Sequence, residues 1–282
     1  MEHIHITGVS PRTGTTLMME LMVSCFEFDG WPVHERSLLI PPREEFARFC
    51  SKNPGPDDLR FAKAALTKNP NLWIIAMVRD PRDVVVSRHR ASPDHFWSDL
   101  EWIKVRVRLF NKAISHPRFI SIRYEDLVAN PDEVQATLMR KIGFLRKKAA
   151  FSDFAKVARP SESAVRALGG VRDISTESIA RWRGELARLL GQIKKFGPID
   201  GVMQDLGYDL EGDWDSVFDG VEPDMEPGFW EGIRKRRSLY RTVRSSVVRW
   251  PLRLRFLLGF PERSDKDLVR PPNADAAPAK EL

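Results

Sequence analysis

The stretch His3-Ile-His-Ile-Thr-Gly-Val-Ser-Pro-Arg-Thr-Gly-Thr-Thr16 decides the fold, because a short apolar strand runs through a glycine-containing turn into a helix. Such a turn aims backbone N–H groups and the positive end of a helix dipole at one point, and so predicts an anion site. Thr15 stands where a nucleotide triphosphatase would carry its P-loop lysine, and the cation is instead Arg12. This displacement argues against ATP or GTP hydrolysis and favours an anion held by hydrogen-bond donors alone.

A second turn of the same kind is Val78-Arg-Asp-Pro-Arg-Asp-Val-Val-Val-Ser87, which follows the apolar run Leu72-Trp-Ile-Ile-Ala-Met77. Two arginine-bearing turns predict a ligand with two separated anionic groups. The structural alternatives are ion pairs at helix starts: one for Arg12, and one between Arg79 and Asp80 or Asp83.

The alternation of strand and helix patterns predicts an α/β fold of the P-loop type, a layered arrangement in which helices flank a central parallel sheet. Ligands of such sheets bind beyond the carboxyl ends of the strands, where both turns lie. Strands are predicted at 3–8, 72–78 and 118–123, with a short one before Val33. Helices are predicted at 14–27, in two pieces within 43–68, and at 81–90, 97–115, 131–143 and 178–205, while 151–180 has no clear period.

Four ordered segments resemble the sulfotransferases that use 3′-phosphoadenosine 5′-phosphosulfate (PAPS). The segment Pro11-Arg-Thr-Gly-Thr-Thr16 is similar to the turn that binds the 5′-phosphosulfate in that family, and Arg79 with Ser87 matches the spacing of its 3′-phosphate site. The other two are Ile120-Ser-Ile-Arg-Tyr-Glu-Asp-Leu-Val-Ala-Asn-Pro131 and the pair Arg181-Trp-Arg-Gly-Glu185 with Leu206-Gly-Tyr208. The resemblance covers residues 1–210.

The resemblance implies a role for each matching position. Arg12, Thr13, Gly14, Thr15 and Thr16 would bind the 5′-phosphosulfate, and Arg79 and Ser87 the 3′-phosphate.

Within 151–180 the family often has a mobile loop that closes over the nucleotide, so Arg172 is a further donor-binding candidate, with Arg159 and Arg166 as weaker ones. For the base that takes the acceptor proton, the family position falls on Glu35, with His34 as second choice. Alternatively, Glu35 only pairs with Arg36 or Arg43.

Composition adds bounds to this interpretation. The 282 residues, 42% of them hydrophobic, suffice for a sizeable core. Cys25 and Cys50 are the two cysteines, which excludes a disulfide framework, and no histidines stand at metal-ligand spacing. The first strand begins almost at the N-terminus and no apolar run is long enough to span a bilayer, so a cytoplasmic protein without a metal cofactor is predicted.

The C-terminal part differs in charge from the rest. Residues 211–262 are predicted to form a basic, amphipathic extension, because 233–260 carry nine basic and no acidic residues among regularly spaced apolar ones. An anionic membrane surface is one partner for it; a helix docked on the protein's own core, a polyanionic glycan and an oligomer contact are the alternatives. Residues 263–282 are predicted to be a disordered tail.

The function predicted is transfer of a sulfuryl group from PAPS to an acceptor hydroxyl on a carbohydrate or glycolipid, by in-line transfer with a carboxylate or histidine base. No nucleic-acid partner is expected. The alternatives are a P-loop nucleotide or small-molecule kinase and a non-catalytic protein of the same fold that binds a polyanion or a membrane.

Overall fold

A computed structural model describes residues 1–42, 46–89, 92–209, 214–236, 250–259, 261, 264 and 267–269. Its strands are β1 (Glu2–Gly8), β2 (Trp31–Pro32), β3 (Arg48–Lys52), β4 (Leu72–Val78), β5 (Arg88–His89), β6 (Ser92–Phe96), β7 (Phe119–Arg123) and β8 (Leu268–Val269). The central sheet has four strands in the order β3-β1-β4-β7, and every neighbouring pair in it is parallel.

The α-helices pack around this sheet. They are α1 (Thr15–Cys25), α2 (Pro56–Lys68), α3 (Pro81–Val85), α4 (Leu100–Asn111), α5 (Tyr124–Ala129), α6 (Pro131–Lys141), α7 (Phe154–Val157), α8 (Glu162–Leu168), α9 (Leu186–Phe196), α10 (Asp200–Asp205) and α11 (Phe229–Arg236). Short 3₁₀ turns cover Phe151–Asp153, Arg181–Gly184 and Trp214–Phe218, and residues 250–258 are helical.

Both faces of the sheet are buried, as a parallel sheet requires. Along β4, Ile74 and Ala76 face a core shared with α2, α4 and α9, whereas Ile75 and Met77 face a second core shared with α1 and α6. Successive side chains of a strand point to opposite faces, so one apolar run supplies both cores. The predicted α/β fold, with helices on both faces of a central parallel sheet, is therefore confirmed.

The helix predicted before the Asn53-Pro-Gly-Pro56 breaker is wrong for residues 48–52, which form the edge strand β3. β3 pairs in register with β1, and the hydroxyl of its Ser51 lies 2.8 Å from both His3 Nε2 and His5 Nδ1. Sheet pairing and this buried polar contact outweigh the local helical pattern. The helix predicted after the breaker is present as α2.

Other predicted helices are shorter or interrupted. The helix expected at 81–90 ends at Val85, and the antiparallel β5–β6 hairpin follows it. The helix expected at 178–205 is divided into a 3₁₀ turn, α9 and α10; Gly197 ends α9 with φ 80°. The stretch 151–180, expected to lack a period, contains α7 and α8.

The C-terminal segments pack against the domain. Asp224 N donates to Ala187 O at 2.8 Å, and a Cβ added at Gly191 would lie 1.8 Å from Asp224 O, so the segment around Asp224 lies in close contact with α9. The disorder prediction is wrong for Leu268 and Val269, which form β8 against β2 and thereby satisfy the backbone groups of that short strand. Residues 263, 265–266 and 270–282 of the predicted tail lie outside the described residues. Across the described residues, no helix combines the length and the apolar character needed to span a bilayer.

Candidate functional site

The turn after β1 is tightly closed around two glycines. A Cβ added at Gly8 would lie 2.3 Å from Thr13 Oγ1, and one at Gly14, where φ is 90°, would lie 2.5 Å from the Tyr124 ring. Arg12 also has a positive φ of 75°, a conformation that non-glycine residues rarely adopt and that tends to mark functional loops. The loop therefore holds Arg12 in a defined direction at the start of α1.

A buried arginine supports this loop from beneath. Arg106 of α4 donates from Nε to Val9 O at 2.6 Å and from its guanidinium to Gly8 O at 2.5 Å. Burial lowers the pKa of Arg106 to about 10, so the side chain remains charged at neutral pH. Sequence reasoning missed this residue, because an arginine within an amphipathic helix reads as a solvent-facing one.

The two anion turns meet in space. Arg12 Nε donates to Ser87 Oγ at 3.1 Å, and the Arg79 guanidinium donates to Arg12 O at 3.2 Å. Asp80 caps α3 by accepting from Arg82 N at 2.8 Å, which fixes the second turn just beyond β4. Parallel neighbours β1 and β4 end at the same edge, so their turns come together there.

A cavity of about 500 Å³ lies over these turns, and we call it the donor cavity after the role proposed for it below. The Arg79 guanidinium lies 4.7 Å from the Tyr124 ring centroid along its wall, a cation–π arrangement. Arginines and hydroxyl or backbone donors dominate the lining, which suits an anionic ligand. Its walls include Arg12, Gly14, Thr15, Thr16, Arg79, Ser87, Tyr124, Arg172 and Arg181.

The ion pair considered as an alternative role for Arg79 is also present. Arg79 lies 3.7 Å from the buried Asp83 carboxylate, which in turn accepts from Ala180 N at 2.9 Å and Trp182 N at 3.0 Å. The pair anchors the segment that begins the Arg181-Trp-Arg-Gly-Glu185 motif. Arg79 thus has a structural contact on one side and the donor cavity on the other.

The third and fourth motifs converge on one carboxylate. Glu125, directly after the tyrosine of the donor cavity, accepts from Asp80 N at 2.9 Å and from Tyr208 Oη at 2.7 Å. Burial and this carboxylate raise the pKa of Tyr208, which keeps the phenol a donor. The separate motifs of the sequence are therefore parts of one assembly.

A second cavity, also about 500 Å³, lies next to the start of α1, and we call it the acceptor cavity, again after its proposed role. It shares Arg12, Thr15, Thr16 and Ala167 with the donor cavity. Both candidate bases, His34 and Glu35, line it. Its remaining walls are formed by Pro11, Met19, Glu20, Pro32, Val33, Lys52, Pro54, His89, Trp97, Ser163, Ala164, Ala167 and Trp230.

Lys52 lines the acceptor cavity beside Thr16, which lines both cavities, and we call this place the junction. Its ammonium donates to Thr16 Oγ1 at 3.0 Å and lies 3.8 Å from the Glu35 carboxylate. Burial lowers the pKa of Lys52, while Glu35 and Glu20 oppose that shift. Sequence reasoning missed this cation because its strand, β3, was predicted as a helix, which gives no reason to place residue 52 beside the first turn.

Glu20 is a second carboxyl group in the acceptor cavity. It stands one helical turn after Thr16 on α1, and residues four apart share one helix face. Burial raises the pKa of Glu20 to about 7, against an opposing effect of Lys52. The Glu35 side chain, in contrast, is 54% exposed, and its partner is Lys52; Arg43, one alternative partner, lies outside the described residues.

The outer wall of the acceptor cavity is aromatic. Trp97 is stacked between His89 and Phe229, with ring centroids 4.4 Å from each, and Trp230 meets its edge at 5.7 Å. Burial and the nearby Arg12 lower the pKa of His89, so its ring is neutral at neutral pH. Aromatic residues at this spacing gave no sequence signal, because they come from two distant segments.

The remaining candidates are placed differently. Thr13 is buried and its hydroxyl donates to Ser10 O at 2.8 Å, so its side chain closes the loop from within. Of the arginines proposed for the 151–180 segment, Arg172 lines the donor cavity, whereas Arg166 lies 3.6 Å from Glu162 on α8. Among the described residues, no group of three or more His, Cys, Asp or Glu side chains is arranged to hold a metal ion.

Solved structures similar to this chain include three sulfotransferases. The sulfotransferase domain of the Synechococcus PCC 7002 olefin synthase is 14% identical, with 70% of this chain and 94% of that chain covered and a TM-score of 0.39. The sulfotransferase domain from the curacin biosynthetic pathway is 16% identical, covers 79% and 99%, and has a TM-score of 0.38. Sulfotransferase STF1 from Mycobacterium tuberculosis H37Rv is 12% identical, covers 67% and 76%, and has a TM-score of 0.33. Likeness at this level supports no functional argument.

Sequence comparison is more specific. No curated protein sequence matches this chain. Residues 34–145, however, match the profile of the Sulfotransferase family. The matched segment runs from the two candidate bases through Lys52, Arg79 and Ser87 to the end of α6, and so contains parts of both cavities. The match agrees, over residues 34–145, with the resemblance to sulfotransferases that the motifs predicted.

Proposed function

We propose that this protein transfers a sulfuryl group from PAPS to an acceptor hydroxyl. One observation carries the proposal: the arginine-bearing turns after β1 and β4 meet, through Arg12 and Ser87, in the wall of one cavity that shares lining residues with a second. A donor with two separated anionic groups needs such paired turns, and a two-substrate transfer needs adjoining cavities.

In the proposed complex, the donor lies in the donor cavity with its phosphosulfate at the start of α1. The N–H groups of Gly14, Thr15 and Thr16, together with Arg12, would hold the 5′-phosphate and the sulfonate oxygens. Arg79 and Ser87 would hold the 3′-phosphate, and Arg172 would approach the nucleotide from the opposite wall. Arginine forks suit such oxyanions because they donate two parallel hydrogen bonds.

The transfer itself breaks the bond between sulfur and the bridging oxygen of the donor and forms a bond between sulfur and the acceptor oxygen. The acceptor proton goes to the base, and 3′-phosphoadenosine 5′-phosphate leaves with the electron pair of the broken bond. Arg12 and Lys52, both at the junction, would stabilise the charge that develops on the leaving oxygen. Lys52 would thus supply the ammonium that the first turn lacks at Thr15.

Glu35 is the proposed base, with His34 as the second choice. Both line the acceptor cavity. The contact of Glu35 with Lys52 at 3.8 Å would orient its carboxylate toward the junction, where the acceptor hydroxyl must lie.

The acceptor hydroxyl is proposed to belong to a carbohydrate or a glycolipid, reached by a cytoplasmic enzyme that contacts an anionic membrane through 233–260. Within this segment the helix at 250–258 packs on the domain through the buried Phe256, while Arg253 pairs with Asp57 at 2.7 Å. Its other side exposes Trp250, Leu254, Leu257 and Leu258, a face that suits a lipid surface. Docking on the core and contact with a membrane are therefore compatible in one helix.

Isothermal titration calorimetry tests the proposal against the two alternatives. We expect 3′-phosphoadenosine 5′-phosphate to bind in the micromolar range without metal, and ATP with magnesium to bind far more weakly. Tight binding of ATP with magnesium and turnover of ATP would indicate a kinase. If neither nucleotide binds, the non-catalytic alternative is favoured and the sulfotransferase proposal fails.

A further inference from the structure

The acceptor cavity has two chemically different ends. At the junction with the donor cavity, polar groups converge, since the Lys52 ammonium lies between Thr16 Oγ1 and the Glu35 carboxylate. The rest of the lining is mostly apolar or aromatic, from Met19, Pro32, Val33, Pro54, Ala164, Ala167, Trp97 and Trp230, with Glu20, His34, His89 and Ser163 among them. This lining suits a ligand that presents a hydroxyl at one end and mainly apolar surface along its body.

Two segments far apart in the chain build the aromatic wall. His89 and Trp97 belong to the β5–β6 hairpin and its exit, whereas Phe229 and Trp230 begin α11. Trp97 has both faces covered by its stacked neighbours, so its position is fixed. Trp230 packs edge-on against both Trp97 and Phe229 and completes the wall.

The start of α11 is held firmly against the domain. The buried Arg188 donates to Glu226 O at 2.7 Å and to Ser98 O at 3.3 Å, and so ties the approach to α11 to the segment just after Trp97. Glu231 forms an ion pair with Lys195 of α9, and Gly228 N donates to Glu231 at 3.3 Å. A Cβ at Gly228 would lie 3.0 Å from the Arg188 guanidinium and 3.1 Å from Phe96 O, so the chain passes close to both. Trp230 therefore belongs to a rigid wall.

We propose that the acceptor is an amphiphile, a hydroxyl group carried on an apolar ring or chain, and that Trp230 determines this specificity by contacting the apolar part. The proposal rests on the proposed function, because it takes the cavity that adjoins the donor cavity as the acceptor site. It narrows the acceptor to an alcohol with an apolar body, as in a glycolipid, rather than a free carbohydrate.

The cost of desolvation favours an amphiphile over a free sugar in this cavity. A free sugar that entered this cavity would give up water from several hydroxyl groups, and the apolar part of the wall offers those groups no hydrogen-bond partners. An apolar body loses nothing polar there and gains from its removal from water. The hydroxyl-bearing head of an amphiphile lies at the polar end, where Lys52 and Glu35 are in place.

The test measures equilibrium binding of two probes to the full-length protein saturated with 3′-phosphoadenosine 5′-phosphate. Octyl β-glucoside, below its micelle concentration, carries the same sugar as glucose with an apolar chain added. We expect octyl β-glucoside to bind at least tenfold more tightly than glucose. We expect Trp230→Ala to weaken octyl β-glucoside binding about tenfold and Trp230→Phe to restore most of it, with the nucleotide affinity unchanged in both.

Met139→Ala is the control, because Met139 is a large apolar side chain on α6 that is 36% exposed and does not line the cavity. Equal binding of glucose and octyl β-glucoside would overturn the proposal, as would a loss of octyl β-glucoside binding in Met139→Ala instead of Trp230→Ala. Nucleotide binding distinguishes a failure of the proposed function from a failure of the proposed acceptor class. If the wild-type protein does not bind the nucleotide, the proposed function fails; if it binds the nucleotide but shows either of the overturning patterns, only the acceptor class fails.

Discussion

The donor and acceptor cavities have the same volume, about 500 Å³, and share Arg12, Thr15, Thr16 and Ala167, yet they are built in opposite ways. The donor cavity is polar and centres on two turns, each contiguous in sequence. The acceptor cavity is mainly apolar and combines side chains from α1, β2, β3, the β5–β6 hairpin, α8 and α11.

This difference matches what each cavity is proposed to recognise. A phosphate group is bound by backbone N–H groups and arginine forks, and a turn of a few residues can supply both. An apolar body is bound by shape and removal from water, which any set of suitably placed apolar side chains can provide. Donor recognition is therefore local in the chain, whereas acceptor recognition depends on tertiary packing.

The largest effect is expected at Arg12, the cation in the first turn. Arg12→Ala should lower kcat/KM for transfer by about 10³-fold or more, because a preorganised positive charge at the developing anion is lost. Arg12→Lys should recover part of the activity. The measurement is steady-state transfer from labelled PAPS, with Arg166→Ala, which pairs with Glu162 outside the turn, as control. Retention of activity in Arg12→Ala would contradict the mechanism.

Lys52 tests whether the junction belongs to the chemistry or only to the architecture. Lys52→Met should lower kcat about 10²-fold, since the ammonium beside Thr16 is removed while the alkyl stem is kept. Affinity for 3′-phosphoadenosine 5′-phosphate should change by no more than about threefold. Lys63→Met, at an exposed position of α2, is the control. A loss confined to nucleotide affinity would make Lys52 a donor-binding residue only.

Arg79 probes the second turn and should have a smaller, different effect. Arg79→Ala should weaken binding of 3′-phosphoadenosine 5′-phosphate by about 10- to 30-fold, equivalent to about 1.4–2 kcal/mol, with little change in kcat at saturating donor. Because Arg79 also pairs with Asp83, thermal unfolding must be measured alongside. Adenosine 5′-phosphate, which lacks the 3′-phosphate, should bind wild type and variant equally. An equal loss for both nucleotides would place the effect in the fold instead.

The sequence could predict some of these features and not others. The strand-to-helix turns and the spacing of Arg79 and Ser87 could be predicted, because each lies within a short stretch of the chain. The parallel sheet could be predicted from the alternation of strand and helix patterns. The place of Lys52 in the site could not be predicted, since the edge strand β3 gains its stability from pairing with β1 rather than from its own pattern. The place of Trp230 could not be predicted because the residue was assigned to a separate basic extension, although contacts at Gly191 and Arg188 bring it to the cavity.

The smallest effect concerns Glu20, whose carboxyl reports how dry the acceptor cavity is. Burial raises its pKa from 4.5 to about 7, so the folded protein retains a proton that the unfolded chain releases. This contribution to stability is therefore lost as the pH rises from about 4.5 to 7 and is absent above that range. Glu20→Gln should match the wild type at pH 4 and exceed its stability at pH 8 by about 1–2 kcal/mol, allowing for partial screening by solvent.

Thermal unfolding at the two pH values measures this difference, which corresponds to about 2–6 °C in Tm for a protein of this size. The control is Glu27→Gln, because Glu27 is a half-exposed carboxyl on the surface, paired with Arg48 at 3.1 Å. A pH-independent difference for Glu20→Gln would mean that water reaches this carboxyl freely. The acceptor cavity would then contain water, and its apolar walls would select little against sugar hydroxyls. The two cavities would still differ in the residues that line them, but this difference would not decide which ligands bind.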